Sequence, residues 1–496
     1  MTEKIESTIA GFPVRRVAII GAGWSGLQIA DVLVGCGYEV VLFEALDDVG
    51  GTWHPATAYA GLAIHTPVFR AAFHGFPYPP GTDPLGRVEA ADIFAYCRAF
   101  AGERGLLPRI RFRHRVASVA YDSAGKRSTI TALDEATGGT VVEVVDFVVS
   151  TQFNAPRMPR FPRDGFAGEV LHSNAVKPET LDRVVAEGRR VVLLGAGKAG
   201  TDLALELSRR GIAFRWVMRK MYWFMAFDRI IFDTRRGRRA RFLPRLAYLL
   251  GLSYARTPRR TERVFRLWRA LGLAKIPGAA HDDVTKFHHG WLDDGQMARI
   301  AALPRTIGEV ARLGPEGVVL ADGQAIPCDV LICATGCDPI ATPIALSVDG
   351  RAVRYEDVGP VYRHSVIPAL PRLCFTGYWQ FGFGPLNGYH RAAWIMRHIE
   401  RDLGEAELRA LAEREGGRPV FRDGGILFDG RENIIPATFR TNDAMMEGLY
   451  SHRDLRRYFI RVVLRYVFRP YGGVERFITA RRKRAAPVRP TAGEDR

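Results

Sequence analysis

The sequence predicts an α/β fold built on two strand–turn–helix–strand units, because two glycine-rich turns each follow a short apolar run. The run Arg16-Val-Ala-Ile-Ile20 leads into Gly21-Ala-Gly-Trp-Ser-Gly26, and the run Arg190-Val-Val-Leu-Leu194 leads into Gly195-Ala-Gly-Lys-Ala-Gly200. Apolar runs of this length, bounded by turns, are typical of buried strands. The chain has 496 residues, which is enough for about three domains of ordinary size.

Composition and charge exclude several classes of protein. With 47% hydrophobic and 25% charged residues the chain is not disordered, and no run of 18 apolar residues predicts a membrane span. The six cysteines form no C-x-x-C pair, and the N-terminus lacks the apolar core of a signal peptide, so we expect a cytoplasmic protein. The net charge of +17 attracts anions such as nucleotides or anionic lipids, while no nucleic-acid-binding fold is visible.

The first turn has the glycine spacing of a dinucleotide site. Gly21 allows the tight turn, Gly23 lets backbone N–H groups approach a pyrophosphate, and Gly26 lets the following helix pack closely on the strand. Glu44 ends the next strand, where an acid accepts hydrogen bonds from ribose hydroxyls and repels a 2′-phosphate. A solvated charge at a strand end is the alternative for Glu44. We assign the first unit to FAD.

The second turn repeats this spacing and is followed by charges of the opposite sign. Its candidate nucleotide contacts are Gly195, Gly197, Gly200 and Thr201. Arg219 and Lys220 occupy the place that Glu44 holds in the first unit. A pair of cations there suits the 2′-phosphate of NADPH, although a solvated charge is again the alternative for Arg219. We assign the second unit to NADPH.

Three further motifs accompany the two turns. Gly50-Gly-Thr-Trp53 follows the first acid, Phe166 to Lys177 has the pattern F-x-G-x-x-x-H-x-x-x-x-K, and Ala334-Thr-Gly336 closes the second unit. In this order, the motifs from about Arg16 to about Asp338 resemble those of the flavin-containing monooxygenase family. The resemblance implies two Rossmann-like dinucleotide-binding domains, with the NADPH domain inserted into a split FAD domain.

The domain boundaries follow from that arrangement. We expect the first part of the FAD domain at 1–160, the NADPH domain at 161–325, the second part of the FAD domain at 326–445, and a basic tail at 446–496, helical or disordered, with disorder expected from Arg476 onward. A basic insertion at 235–269 holds 12 arginines against one acid. Its apolar residues beside arginines resemble an interfacial membrane element, and a helical subdomain with a solvated basic face is the favoured alternative. Peripheral contact with an anionic membrane therefore stays open, and the oligomeric state is not predicted.

The resemblance also implies roles for individual residues. Further cofactor contacts are expected from Gly51, Thr52, Trp53, Thr335 and Gly336. His65 stands where many amine- and sulfide-oxidising relatives carry Asn close to the flavin, and it is the leading catalytic candidate, with a packing role as the alternative. Asn387, beside a Gly/Pro-rich turn that enters a helix, is a second candidate on the substrate side. His172 is expected to order the link between the domains, and Lys177 to steady the nucleotide or face solvent.

The implied activity is oxygenation of a small molecule. NADPH passes hydride to FAD, O2 adds at flavin C4a, and the hydroperoxide gives one oxygen atom to the substrate. N- or S-oxygenation is the expected reaction. A Baeyer–Villiger or oxidative-decarboxylating reaction is one alternative, and a sensor or uncoupled NADPH oxidase that binds FAD and NADPH without oxygenating a substrate is another. The cluster at His281, Asp282, Asp283, His288 and His289 lacks zinc spacing, so we expect no metal.

Overall fold

The structure, a computed structural model, describes most of the chain in separate ranges. These are 14–64, 68–83, 86–151, 155–156, 158–226, 263, 266–278, 287–338, 344–354, 357–362, 365–376, 384–414 and 472–485. Within them the chain forms three five-stranded sheets, two three-stranded sheets and one two-stranded sheet. The mixed α/β class predicted from the sequence is confirmed.

The first sheet is parallel and carries the first turn. Its strands, in spatial order, are Leu373–Phe375, Phe147–Ser150, Arg16–Ile20, Glu39–Phe43 and Ile110–Arg111. Leu373–Phe375 pairs directly with Phe147–Ser150, although more than 200 residues separate them in the sequence. The first domain is therefore split, as expected, and takes its outermost strand from the later part of the chain.

The second sheet is also parallel. In the sequence, all its strands come after Phe147–Ser150 and before Leu373–Phe375. Its strands, in spatial order, are Arg305–Ile307, Phe214–Met218, Val191–Leu194, Val330–Cys333 and Glu169–His172. The short pair of Ala155–Pro156 with Cys337–Asp338 joins the chain entering this domain to the chain leaving it. The second Rossmann-like unit is thus inserted into the first, as predicted.

A third sheet, which the sequence motifs did not indicate, is mostly antiparallel. Its strands, in spatial order, are Arg351–Val353, Ala345–Val348, His114–Asp122, Arg127–Asp134 and Thr140–Val145. The three-stranded sheets consist of Ala274–Lys275, Trp223–Ala226 and Phe287–Leu292, and of Val310–Gly314, Gly317–Leu320 and Ala325–Pro327. The third sheet provides the surface against which the first sheet packs its second face.

Alternate residues of the Arg16–Ile20 strand face two different hydrophobic cores. Val17 and Ile19 pack with the helices on one side of the first sheet, whereas Ala18 and Ile20 pack with residues of the third sheet on the other. This alternation follows from the two-residue period of a strand. With both faces covered, only the end of the strand, where the first turn begins, is left to meet a ligand.

The described α-helices cover the two parallel sheets. They are Trp24–Gly35 (the first-turn helix), Val68–Ala71, Ala90–Glu103, Pro178–Ala186, Lys198–Arg209 (the second-turn helix), Asp294–Ala302, Gly384–Arg401, Glu405–Arg414 and Gly472–Ala485. None of these helices combines the length and the hydropathy needed to cross a bilayer. The first-turn helix packs against Gly384–Arg401, and a Cβ added at Gly388 would lie 2.7 Å from Gln28 Cβ.

The basic tail contains an ordered helix, Gly472–Ala485, so the expectation of disorder from Arg476 onward is wrong as far as Ala485. Arg481 forms an ion pair with Glu400 and lies over the Phe477 ring, with Cζ 3.3 Å from the centroid. Arg482 Nη2 lies 3.0 Å from Asp31 Oδ2 on the first-turn helix. Acidic partners from distant parts of the chain thus hold this basic helix. Most of the insertion at 235–269 lies outside the described residues.

Candidate functional site

The first turn has a backbone that only glycine accommodates at two of its three predicted positions. The φ angle of Gly21 is +99°, in the region that L-residues rarely adopt, and its N–H donates to Phe43 O at 2.8 Å. A Cβ at Gly26 would lie 2.0 Å from Gly21 O. The first-turn helix therefore starts directly against the strand end, and its first N–H groups have no partner within the helix.

The Gly50-Gly-Thr-Trp53 motif lies beside the first turn. Gly50 N donates to Ala22 O at 3.1 Å, and a Cβ built at Gly23 would be 3.4 Å from Gly51 Cα. The absence of a Cβ at Gly23 and Gly51 lets these two backbone segments pack against each other, so backbone rather than side chains lies beside the first turn, where a pyrophosphate would bind. Thr52 beside it is exposed. This cradle fits the phosphates of the FAD assigned to the first unit.

Two tryptophans stand at the same place. The rings of Trp24 and Trp53 meet edge to face with centroids 5.5 Å apart. The Nε1–H group of Trp24 is buried and has no hydrogen-bond partner within the described part of the chain. A buried donor left without a partner is costly. Such a group beside the glycine cradle is consistent with a polar ligand at the first turn.

Glu44 is built into the first turn rather than left at a solvated strand end. The residue is 6% exposed. Its Oε2 atom accepts a hydrogen bond from Ala22 N at 2.7 Å, and its Oε1 atom accepts one from Leu46 N at 3.0 Å. Burial raises the pKa of Glu44, while the backbone N–H groups of Leu46, Ala22 and Ala45 oppose the rise. A carboxylate can accept about four hydrogen bonds, so acceptor capacity remains for ribose hydroxyls.

Thr151 supports the first turn from below, and the sequence analysis did not identify it. Its hydroxyl donates to Ile20 O at 2.8 Å, and a Cβ added at Gly21 would lie 2.6 Å from Thr151 Oγ1. The residues that follow, 152–154, lie outside the described ranges. Thr151 lies where members of the resembled family often carry Ala-Thr-Gly. Its contact with Ile20 joins residues 131 apart in the sequence, so no local sequence pattern could predict it.

The second turn repeats the steric arrangement of the first. The φ angle of Gly195 is +108°, and a Cβ there would meet Ala334 O at 2.4 Å. A Cβ at Gly200 would lie 2.2 Å from Gly195 O. Gly197 is the N-cap of the second-turn helix and supplies no side-chain cap. The first N–H groups of that helix are therefore open to an anion, which fits the NADPH phosphates.

The remaining predicted contacts of the second unit lie at or under this turn. Thr201 is fully buried, and its hydroxyl donates to Lys198 O at 2.8 Å within the helix. Arg219 is exposed and directly follows the strand Phe214–Met218. That strand end is joined to the turn because Gly195 N donates to Val217 O at 2.9 Å. Lys220 follows and is half-buried.

His172 holds the Ala334-Thr-Gly336 motif in place. Its Nδ1 atom accepts from Asn174 N at 3.2 Å, so Nε2 carries the proton and donates to Gly336 O at 2.9 Å. Burial lowers the pKa of His172, which keeps the ring neutral. The backbone of Gly336 is left-handed, with φ of +85°. Thr335, in the middle of the motif, is half-buried.

Lys177 reaches the first domain instead of standing free at a nucleotide. Its ammonium donates to Ala58 O at 2.5 Å and to Pro55 O at 3.2 Å. Burial lowers the pKa of Lys177. These two carbonyls belong to the chain that leads from the Gly50-Gly-Thr-Trp53 motif toward His65. The lysine of the F-x-G-x-x-x-H-x-x-x-x-K pattern is thus an interdomain contact here.

The two catalytic candidates are placed only through their neighbours. His65 lies outside the described residues, directly after Ile64, whose N–H donates to Val88 O at 2.9 Å. Asn387 lies in the helix Gly384–Arg401, but its side chain is outside the described part of the chain. Its neighbour Gly388 contacts the first-turn helix. Both residues stay predictions.

A metal site was not expected from the sequence. Among the described side chains, no group of three or more His, Cys, Asp or Glu residues lies close enough to hold a metal ion. Of the cluster at 281–289, residues 281–286 and the side chains of His288 and His289 lie outside the described ranges.

Comparison with known proteins gives a family match that includes both glycine turns. Residues 14–240 match the family described as flavin-binding monooxygenase-like. A probable flavin-containing monooxygenase 1 of Arabidopsis thaliana is 27% identical over 440 residues, which cover 78% of this chain and 82% of that protein. Senecionine N-oxygenase of Tyria jacobaeae is 30% identical over 210 residues, which cover 39% of this chain and 44% of that protein.

A solved structure shares the fold along nearly the whole length. The S-allyl-L-cysteine S-oxygenase of Allium sativum superimposes with a TM-score of 0.57 and 19% sequence identity. The superposition covers 95% of this chain and 98% of that one. At this identity the similarity is one of fold, and it includes both dinucleotide-binding units.

Proposed function

This chain belongs to the flavin-containing monooxygenase family and is an NADPH-dependent flavin monooxygenase, and we propose that it oxygenates a small soft nucleophile at nitrogen or sulfur. One observation carries the proposal. Two glycine turns of the same geometry end two parallel sheets, with a buried acid at the first and an exposed arginine at the second. That pairing suits FAD at the first turn and NADPH at the second.

The protein's own contribution is binding and orientation. Bound FAD supplies the redox chemistry, since it takes hydride from NADPH and passes electrons to O2. The backbone N–H groups of the first turn bind the FAD pyrophosphate, and Glu44 accepts hydrogen bonds from its ribose. Arg219 and Lys220 bind the 2′-phosphate and select NADPH over NADH. We propose that His65 and Asn387 line the substrate side of the flavin.

The substrate class is supported by the name of one relative, a senecionine N-oxygenase. A sulfur lone pair is nucleophilic in the same way as a nitrogen lone pair, so the proposal includes both. The residue that follows the Gly50-Gly-Thr-Trp53 motif is His54, whose Nε2 lies 3.1 Å from Asp47 Oδ1. Baeyer–Villiger enzymes usually carry Pro-Gly and Asp after this motif, and this chain carries neither there. Ketone oxidation is therefore the weaker alternative.

The experiment that tests this proposal compares product with peroxide. Protein loaded with FAD is mixed with NADPH, O2 and, in turn, a tertiary amine, a thioether and a cyclic ketone. We expect one N-oxide or sulfoxide per NADPH consumed and little free hydrogen peroxide. Ester formation from the ketone alone would replace the proposal by the Baeyer–Villiger alternative. One peroxide per NADPH with all three compounds would instead identify an uncoupled oxidase.

A further inference from the structure

One continuous stretch of the first domain contacts both cofactor turns. This bridging segment comprises residues 50–64. At its start Gly51 packs on Gly23 of the first turn, since a Cβ added at Gly51 would lie 3.1 Å from Gly23 Cα. At its end Ala63 O accepts a hydrogen bond from Lys198 Nζ of the second turn at 3.3 Å. The distance between the two turns therefore depends on how this segment is held.

A cluster of three side chains holds the end of the bridging segment. Asp202 Oδ2 forms an ion pair with Lys198 Nζ and accepts a hydrogen bond from Tyr59 Oη at 2.8 Å. The side chains of Asp202 and Lys198 are 7% and 18% exposed. In this partly buried setting the removal of one charged partner leaves the other uncompensated. The cluster is therefore sensitive to the loss of either charge, and it joins the two domains.

The side chain of Lys198 is not oriented as expected for a phosphate ligand. The residue opens the second-turn helix, where a cation is expected to face the phosphates that the helix N-terminus binds. Its side chain instead runs along the helix to Asp202, four residues further on, and to Ala63 of the bridging segment. The charge of the ammonium is thus already compensated within the protein.

Two more contacts run beside the cluster. Ala60 N donates to Val176 O at 2.8 Å, and Lys177 Nζ donates to the carbonyls of Pro55 and Ala58. These bonds tie the middle of the bridging segment to the second domain. They fix its distance from that domain, whereas the Lys198 cluster connects it to the turn that receives NADPH.

We propose that Lys198, Asp202 and Tyr59 are positioning residues that hold the bridging segment against the second turn and so set the alignment of NADPH with FAD. Lys198 acts through Asp202 and the Ala63 carbonyl and does not bind the NADPH phosphates. His65, a catalytic candidate, directly follows the bridging segment in the sequence. The inference rests on the two cofactors and does not depend on which substrate is oxygenated.

The test separates nucleotide binding from hydride transfer in the FAD-loaded protein. Lys198→Met, Tyr59→Phe and the control Lys275→Met are compared, since Lys275 of the same domain forms an exposed ion pair with Asp294. The NADP⁺ Kd is measured by calorimetry, and the limiting rate of flavin reduction by NADPH is measured without O2. We expect Lys198→Met to slow reduction about 10- to 100-fold, because small misalignments are costly in hydride transfer. Its Kd should change less than about threefold, and Lys275→Met should change neither quantity.

Further variants test whether the effect of Lys198→Met comes from the cluster as a unit. Lys198→Arg keeps a cation within reach of Asp202 and should restore part of the rate. Lys198→Met combined with Asp202→Asn should be no slower than the slower single variant, because residues of one cluster are not additive. Amide hydrogen exchange over residues 55–64 should be faster in Lys198→Met than in the wild type. Tyr59→Phe removes only a hydroxyl, so it provides a readout even where Lys198→Met folds poorly.

Two outcomes would overturn the proposal. A tenfold or larger rise in the NADP⁺ Kd of Lys198→Met, with a normal limiting rate, would make Lys198 a phosphate ligand. Normal rates and normal exchange in both Lys198→Met and Tyr59→Phe would show that the cluster positions nothing. These results are distinguishable from failure of the proposed function, since a wild-type protein that NADPH cannot reduce would refute the cofactor assignment itself.

Discussion

The two glycine turns share one steric plan and differ in what surrounds them. The third glycine of each lies against the carbonyl of the first, with an added Cβ 2.0 Å away at Gly26 and 2.2 Å away at Gly200. At the first turn the recognising acid, Glu44, is buried and accepts hydrogen bonds from the backbone of the turn and of the loop that follows its strand. At the second turn the recognising cation, Arg219, is exposed.

This difference separates a retained cofactor from an exchanged one. At the first turn the groups that recognise the ligand also complete the fold, and the helices Gly384–Arg401 and Gly472–Ala485 cover the first-turn helix. Ligand binding there is coupled to the stability of the domain. At the second turn an exposed arginine can release its ligand without any change in the core. We therefore expect FAD to stay bound through turnover while NADPH exchanges.

The largest effect is expected from the third glycines. Gly26→Ala forces backbone apart at a fully packed contact, and overpacking of this kind costs about 1–3 kcal/mol or more in the free energy of unfolding. The variant should lose FAD during gel filtration and unfold at a lower temperature. Gly200→Ala should keep its FAD and lose NADP⁺ binding, measured by calorimetry. A Gly26→Ala protein with a full complement of FAD would contradict the coupling at the first turn.

Glu44→Gln tests the buried acid. Glutamine has one acceptor oxygen and no charge, so it cannot accept from Ala22 N, Leu46 N and the ribose hydroxyls as the carboxylate does, and the loss of a charge-assisted hydrogen bond to ribose costs about 1.5–3 kcal/mol of FAD binding. We expect the FAD Kd to rise by about 10- to 100-fold, by the conversion of about 1.4 kcal/mol per factor of ten. The NADP⁺ Kd should stay near the wild-type value in the FAD-saturated protein. Unchanged FAD affinity would return Glu44 to the role of a simple strand-end charge.

The pH dependence of FAD binding also tests the role of Glu44, and the direction of the change can be predicted. Burial raises the pKa of Glu44 above its ordinary value of 4.5. The ionised form is therefore disfavoured in the FAD-free fold, whose stability falls as pH rises through the raised pKa. Ribose hydroxyls donate to the ionised form, so FAD affinity rises over that same window. Titrations of FAD binding should show this rise in the wild type and a flat profile in Glu44→Gln.

Arg219→Ala should give a smaller, selective loss at the second turn. A charge-assisted hydrogen bond to phosphate contributes about 1.5–3 kcal/mol, so the NADPH Kd should rise roughly tenfold or more. The NADH Kd should hardly change, because NADH lacks the 2′-phosphate. Arg215→Ala, an exposed arginine on the same strand, is the matched control. Equal losses with both nucleotides would refute the assignment of Arg219.

The sequence predicts local turn geometry well and long-range contacts poorly. The turns at Gly21 and Gly195 could be predicted because glycine spacing encodes backbone shape directly. Lys198 and Asp202 are four residues apart on a helix, a spacing that indicates an ion pair, but nothing in the sequence indicates Tyr59, whose bond to Asp202 spans 143 residues. The docking of Arg482 on Asp31 spans 451 residues and left no pattern either.

The smallest expected effect concerns Thr151, which supports only the first turn. Thr151→Val keeps the shape of the side chain but removes the hydroxyl, which lies 2.8 Å from Ile20 O and 3.2 Å from Gly21 O. The Ile20 carbonyl still accepts the N–H of residue 151 at 2.9 Å, so the loss should be about 1 kcal/mol or less. The second turn has Ala334 in the corresponding place, and its N–H donates to Leu194 O at 2.8 Å from a residue that carries no hydroxyl. We expect FAD to dissociate a few times faster from Thr151→Val, measured by the recovery of free-flavin fluorescence, with NADP⁺ binding unchanged. A complete loss of FAD would mean that the hydroxyl, rather than glycine sterics, maintains the first turn.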